Sequence, residues 1–265
     1  MSYSQPYSQP SGGLGFGGRV TWAVQRLILY TGAAYAAFLV LQPFNYLVVR
    51  SQGFDLLEHL AFTPGAFVHG ELWQPLTYLF LHGGLMHLAV NMFTLFFFGP
   101  DVEREIGTPQ FFRMYFFCGV VSVLATLLPF FLNHHNPGVV GASGAVMGVL
   151  VGFVMIDPHR QVYLFPFPVP ITALWMMIFI VGINIISSLQ GGDTSVETHF
   201  GGMAAGYVYM KYLPRLERAW RLRKFRVIPK PKAAPKSTGN ADFDKLGKVV
   251  NDILKDKERD FHDRD

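Results

Sequence analysis

Three short stretches of the chain carry side chains able to do chemistry. "LHGGLMHLAVNM" holds His82, His87 and Asn91, "GASGAVMG" holds Ser143, and "ETHFGGMAAGY" holds His199. A serine hydroxyl is a weak nucleophile until a base takes its proton. An imidazole can take that proton and later return it to a leaving amine. His87 and Asn91 are four residues apart, so a helix places them on one face, where both can donate to a developing oxyanion. The backbone N–H of Ser143, at the start of an apolar helix, is a further donor favoured by the helix dipole. Gly141 and Gly144 leave space around the serine. Gly202 and Gly206 make a small-xxx-small face beside His199 that admits another helix closely. Glu197 lies two residues from His199, which on a helix points it elsewhere, so no third catalytic member is expected.

Each stretch taken alone has a plainer reading. Glycines around Ser143 serve helix packing, a lone histidine in a span can be a packing residue, and His87 with Asn91 can be an interhelical hydrogen-bonding pair. A metal held by His82, His87 and His199 is conceivable. No carboxylate lies at that depth to help, however, and a metal leaves Ser143 unexplained. The expectation is a Ser143–His199 dyad with no metal and no cofactor.

The elements that must position these residues are apolar. Of 265 residues, 51% are hydrophobic and 15% charged, against about 25% charged in an ordinary soluble domain. All nine lysines lie at Lys211 or beyond, and 16 of the 22 basic residues fall in the last 55 positions. The single cysteine, Cys118, excludes an internal disulfide and reads as a small core hydrophobe.

Six apolar segments follow one another, at about Val20–Val49, Gly83–Phe98, Phe111–Leu132, Gly141–Ile156, Val169–Leu189 and Val196–Tyr212. Crossing a bilayer takes about 20 residues, so the second, fourth and sixth are short and read as enclosed by protein. The stretch up to Trp73, broken by Pro64 and Gly65, reads as interfacial. The fold expected is an all-α, polytopic, six-helix membrane bundle.

With the N-terminus inside, the outer loops 50–82, 133–140 and 190–195 contain one basic residue, Arg50. The inner segments hold Arg19, Arg104, Arg160 and the basic tail, which places both termini in the cytoplasm. His82, His87, Ser143 and His199 then fall near the outer end of their spans. Four polar residues at one depth on one side favour catalysis over packing.

Three regions result: a Ser/Gln/Pro/Gly-rich leader, 1–19; the membrane domain, 20–213; and a basic tail, 214–265. The tail's positive charge suits anionic lipid rather than nucleic acid. After a Pro-rich linker, Phe243, Leu246, Val250, Ile253 and Leu254 recur at near-helical spacing. That short amphipathic helix is either solvated or a docking segment.

At these motifs the chain resembles the rhomboid family of intramembrane serine proteases, over roughly Thr21 to Leu213. "HGGLMHLAVN", "GASG" and "HFGGMAAG" match the family's patterns in order, and "DVEREIG" is similar to its cytoplasmic turn through Glu103, Arg104 and Gly107. The resemblance implies Ser143 as nucleophile, His199 as general base, and His87 and Asn91 as oxyanion donors. It gives His82 a structural role at the site's rim. It implies single-span membrane proteins as substrates, cut near the outer face, with no cofactor. In a bacterial host the location expected is the plasma (inner) membrane; an organelle is the alternative, against which stands a leader neither Arg-rich nor amphipathic. Gln74 stands where the family often has Arg, Glu105 where a basic residue is common, and Met147 where an aromatic often packs on the histidine. The competing classes are a non-catalytic binder of transmembrane helices, which has no need of the Ser143/His199 pair, and a transporter. A transporter would want charged or repeated half-helices, and the sequence has neither.

Overall fold

The computed structural model describes residues 20–44, 55–163, 170–189, 196–225 and 245–252. The leader, the end of the first segment, the Pro-rich linker from 226 onward, and Phe243, Ile253 and Leu254 of the tail lie outside the described residues.

The helices follow the apolar segments. They are α1 (Trp22–Phe44), α5 (Leu85–Ile106), α6 (Thr108–Leu124) with α7 (Leu127–Asn133), α8 (Ser143–Ile156), α9 (Ala173–Leu189) and α10 (Val196–Phe225). Between α1 and α5 lie three helices of one turn or so, α2 (Leu56–Leu60), α3 (Pro64–Val68) and α4 (Gln74–Thr77), with a 3-10 turn at Tyr78–Phe80. None is long enough to span, as the Pro/Gly interruptions predict. Three apolar stretches reach spanning length, Trp22–Pro43, Leu85–Ile106 and Thr108–Asn133, while α8 and α9 are shorter. The one pair of strands among the described residues is a two-stranded antiparallel ribbon, β1 (Gln161–Tyr163) with β2 (Pro170–Thr172), between α8 and α9.

The chain divides into two compact units, Met1–Arg215 and Leu216–Asp265. In the second, residues 245–252 are helical and Leu246, Val249 and Val250 are exposed.

In the first unit α8 runs through the middle, against α5 and α6. It buries Ala145, Val146, Val149, Leu150 and Phe153, which is why a 14-residue helix can stay apolar without meeting lipid along its length. Cys118 packs there as a small hydrophobe, its sulfur 2.5 Å from where a Cβ on Gly148 would stand.

Polar pins set the frame at both ends. At one end the Glu103 carboxylate, 3% exposed, accepts the free N–H groups of Ala23 and Val24 at the start of α1, each at 3.1 Å. It also accepts the Thr108 hydroxyl at 2.6 Å. The carboxylate so caps the start of α1, whose first N–H groups have no partner inside the helix, and ties it to the first residue of α6. Gly107 ends α5 at φ +84, a conformation glycine adopts freely. Nearby, Asp101 joins Arg104 and Arg160, both at 3.1 Å.

At the other end the short helices are tied together by side chains. Glu71 meets His59 Nδ1 at 2.6 Å and accepts Gln74 Nε2 at 2.6 Å, while Gln74 Oε1 accepts the Thr63 N–H at 3.0 Å. The Trp73 indole N–H donates to the His59 carbonyl at 2.8 Å. Gln74 is fully buried, so it holds the loop from within where the family often has arginine.

Candidate active site

The segment leading to Ser143 is anchored before the helix begins. Phe62 and Val139 exchange both backbone hydrogen bonds, at 3.0 and 2.8 Å, and the Gly141 N–H donates to the Tyr78 carbonyl at 2.9 Å. The Asn136 side chain accepts the Gly65 N–H at 2.8 Å. Gly141 then turns the chain at φ +113, in the region that favours glycine. Ser143 is the first residue of α8, with Ala142 as its N-cap and no side chain capping the end. The first N–H groups of α8 therefore remain available to a ligand, with the positive end of the helix dipole behind them.

The histidine stretch faces this turn. A Cβ on Gly141 would stand 2.6 Å from His87 Cε1 and 2.8 Å from its Nε2, so the ring lies directly over the backbone before the serine. The His82 and His87 rings meet edge-on, with centroids 5.2 Å apart. His82, buried in the turn ahead of the α5 span, has Nε2 3.5 Å from the Ala142 nitrogen. Burial first, and His87 second, push its pKa down to about 4, so its ring is neutral and can accept from backbone. Asn91 is buried and donates one amide N–H to the His87 carbonyl at 2.9 Å. The amide carries a second N–H beyond that bond.

His199 arrives on α10, and the glycines decide how near. A Cβ on Gly202 would fall 2.1 Å from the Gly144 carbonyl oxygen, and one on Gly206 would fall 2.5 Å from that of Gly148. The two backbones are in contact over a full helical repeat. On the other side, a Cβ on Gly144 would strike the Ser122 hydroxyl at 2.1 Å and lie 3.3 Å from the Thr198 carbonyl. The residues next to Ser143 and next to His199 therefore touch. Among the described residues no hydrogen bond joins Ser143 to His199, a contact that in unliganded sites is commonly long. The described residues contain no metal-binding cluster of histidine, cysteine and carboxylates.

Sequence reasoning missed two polar residues here. Asn184 on α9 is buried and hydrogen-bonds His199 Nδ1. Ser122 on α6 donates to the Gly119 carbonyl at 2.7 Å and meets the Tyr78 hydroxyl at 2.9 Å, beneath the serine turn. Both had a signal, a polar side chain inside an apolar run, where such residues are costly and tend to be functional.

A mostly helical integral membrane protein, with serine, histidine and asparagine gathered where its spans meet their connecting loops, is the class that fold and site define. The chain belongs to the rhomboid family: the family model of the Rhomboid domain matches residues 69–216. It is similar to Rhomboid protein 1, mitochondrial, of Saccharomyces cerevisiae, 31% identical over 61% of this chain and 44% of that one. Rhomboid protease GluP of Bacillus subtilis is 30% identical over 52% of this chain and 25% of its own length. RHOMBOID-like protein 5 of Arabidopsis thaliana is 28% identical over 71% of this chain and 67% of its own. The chain spans less than half the length of the yeast protein and about half that of RHOMBOID-like protein 12, mitochondrial, of Arabidopsis thaliana.

Proposed function

We propose that this protein is an intramembrane serine endopeptidase working through a Ser143–His199 dyad. The observation that carries the reading is the backbone contact of Gly202 with Gly144, which sets the helix bearing His199 against the helix that begins at Ser143. Membership of a family that includes named rhomboid proteases supports it.

The Ser143 hydroxyl gives its proton to His199 Nε2 as Oγ bonds to the scissile carbonyl carbon. The carbonyl oxygen gathers the negative charge and is met by the Ser143 N–H, His87 and the free N–H of Asn91. His199 then protonates the leaving amine, and the C–N bond breaks to leave an ester on Ser143. Water, deprotonated by the same imidazole, hydrolyses that ester and returns the proton to Ser143. His82, Gly141, Gly144, Gly202 and Gly206 support this geometry without touching substrate. The substrates are single-span membrane proteins whose helix unwinds near the outer face, since an intact helix ties up the scissile amide.

The same reading makes 20–213 a six-span domain in membrane lipid, with the 1–19 leader and 214–265 tail in the cytoplasm, in a bacterial inner membrane. A fluorophosphonate probe tests the chemistry on purified protein. Labelling of wild type that vanishes in Ser143→Ala and in His199→Ala is expected. Equal labelling of Ser143→Ala and wild type would overturn the assignment.

A further inference from the structure

Asn184 lies on α9 and is 8% exposed, in a helix otherwise made of aliphatic and aromatic side chains apart from its last turn. A buried amide with nothing to do is expensive in such a place. This one has a partner at each of its polar atoms. Its Nδ2 donates to the Ile180 carbonyl at 2.8 Å, which leaves Oδ1 as the atom turned toward α10. There it meets Nδ1 of His199.

The direction of this bond follows from chemistry. An amide oxygen can only accept, so His199 Nδ1 must carry a hydrogen. In a neutral imidazole the other nitrogen, Nε2, then holds the lone pair. That is the tautomer a base needs to take the Ser143 proton. When Nε2 is protonated, the Nδ1–H stays on Asn184, and the amide dipole faces the new positive charge. The Ile180 carbonyl keeps the amide from flipping to present its NH2 group, which would force the wrong tautomer.

Resting on the protease reading above, we infer that Asn184 is a positioning residue: it locks His199 in the tautomer and orientation that direct Nε2 to Ser143, completing a Ser143–His199–Asn184 relay across α8, α10 and α9. The third member sits on the neighbouring span, not at Glu197. It is a neutral amide, so the site holds no buried carboxylate whose charge would need compensation at membrane depth.

The test measures the rate of fluorophosphonate labelling of the full chain in detergent against pH. Wild type is compared with Asn184→Leu, Asn184→Asp, Ser143→Ala and His199→Ala, with thermal unfolding of each. The other groups around His199 are the same in wild type and in both Asn184 variants. They are His87 on α5 with His82 beyond it, Ser122 on α6 and Ala125 at its end, Gly144 and Ser143 on α8, and Glu197 on its own helix.

Asn184→Leu, similar in volume but without an acceptor, is expected to slow labelling roughly 10- to 100-fold, up to the low end of what a general base contributes, because the base itself is kept. Asn184→Asp keeps the acceptor and adds a charge that holds the imidazolium. It is expected to recover most of the rate and to move the acidic limb of the profile to higher pH. A purely structural role for Asn184 would lower stability and leave that limb in place. Wild-type rate in Asn184→Leu overturns the relay, as does an unmoved acidic limb in Asn184→Asp, which decides the matter even where Asn184→Leu does not fold. If those results come while Ser143→Ala and His199→Ala are silent, the relay alone falls. If wild type itself does not label, the relay and the protease reading fall together.

Discussion

Gly202 rests against Gly144 with no space for a side chain: a methyl group on Gly202 would lie 2.1 Å from the Gly144 carbonyl oxygen. That contact sets the separation of α8 and α10, hence of Ser143 and His199. Gly202→Ala should cost about 1–3 kcal/mol of stability through overpacking. The loss of activity should be larger, roughly 100-fold, because a displacement near 1 Å at reacting groups costs that much. Gly182→Ala on α9, where the added methyl meets nothing within 4 Å, is the control and should do neither. Thermal unfolding in detergent and the labelling rate, measured side by side, check the difference.

Gly141 has two reasons to be glycine. Its φ is +113, and a Cβ there would stand 2.6 Å from the His87 ring. Gly141→Ala should strain the turn by about 1–2 kcal/mol and push His87 off its place. Losing a preorganised oxyanion donor costs about 10²–10³ in turnover. The expected result with a model transmembrane substrate is therefore a fall in kcat with KM little changed. A fall confined to KM would assign His87 to substrate binding instead.

The carboxylate of Glu103 accepts from Ala23, Val24 and Thr108, at the opposite end of α5 from His87. Glu103→Ala leaves buried donors without a partner and should destabilise by about 2–4 kcal/mol. Activity per folded molecule should persist, because the site is at the other end of the helix. Unfolding curves combined with labelling of the folded fraction separate the two effects.

Gln74 joins Glu71 to the Thr63 backbone in the interfacial loop. Gln74→Ala should release about 1–2 kcal/mol of local order. Hydrogen exchange would show it as loss of protection over residues 59–77, with α6 and α8 unaffected. Gln74→Glu should be no better, since it sets a second carboxylate against Glu71.

Much of this protein was legible before any tertiary contact. The apolar runs determined the order of the helices and set the interfacial segment apart from the spans, because periodicity and length are properties of one stretch at a time. His87 and Asn91 could be placed on one face by their spacing, and Ser143 at a helix start by its glycines. The resemblance to the family added a turn through Glu103 and Gly107.

Tertiary structure decided what depends on which stretches meet. Sequence alone could say that Gly202 and Gly206 permit a close approach, but not that Gly144 and Gly148 receive them. Gln74 looked like a departure from the family pattern, and its hydrogen bonds to two loop neighbours make it a buried tie. Asn184 was one polar residue in an apolar run, with a role visible only once α9 set its amide against the imidazole of α10. The physical reason is that a hydrogen bond is specified by two partners in three dimensions. The sequence displays each partner singly, and folding alone selects the pair.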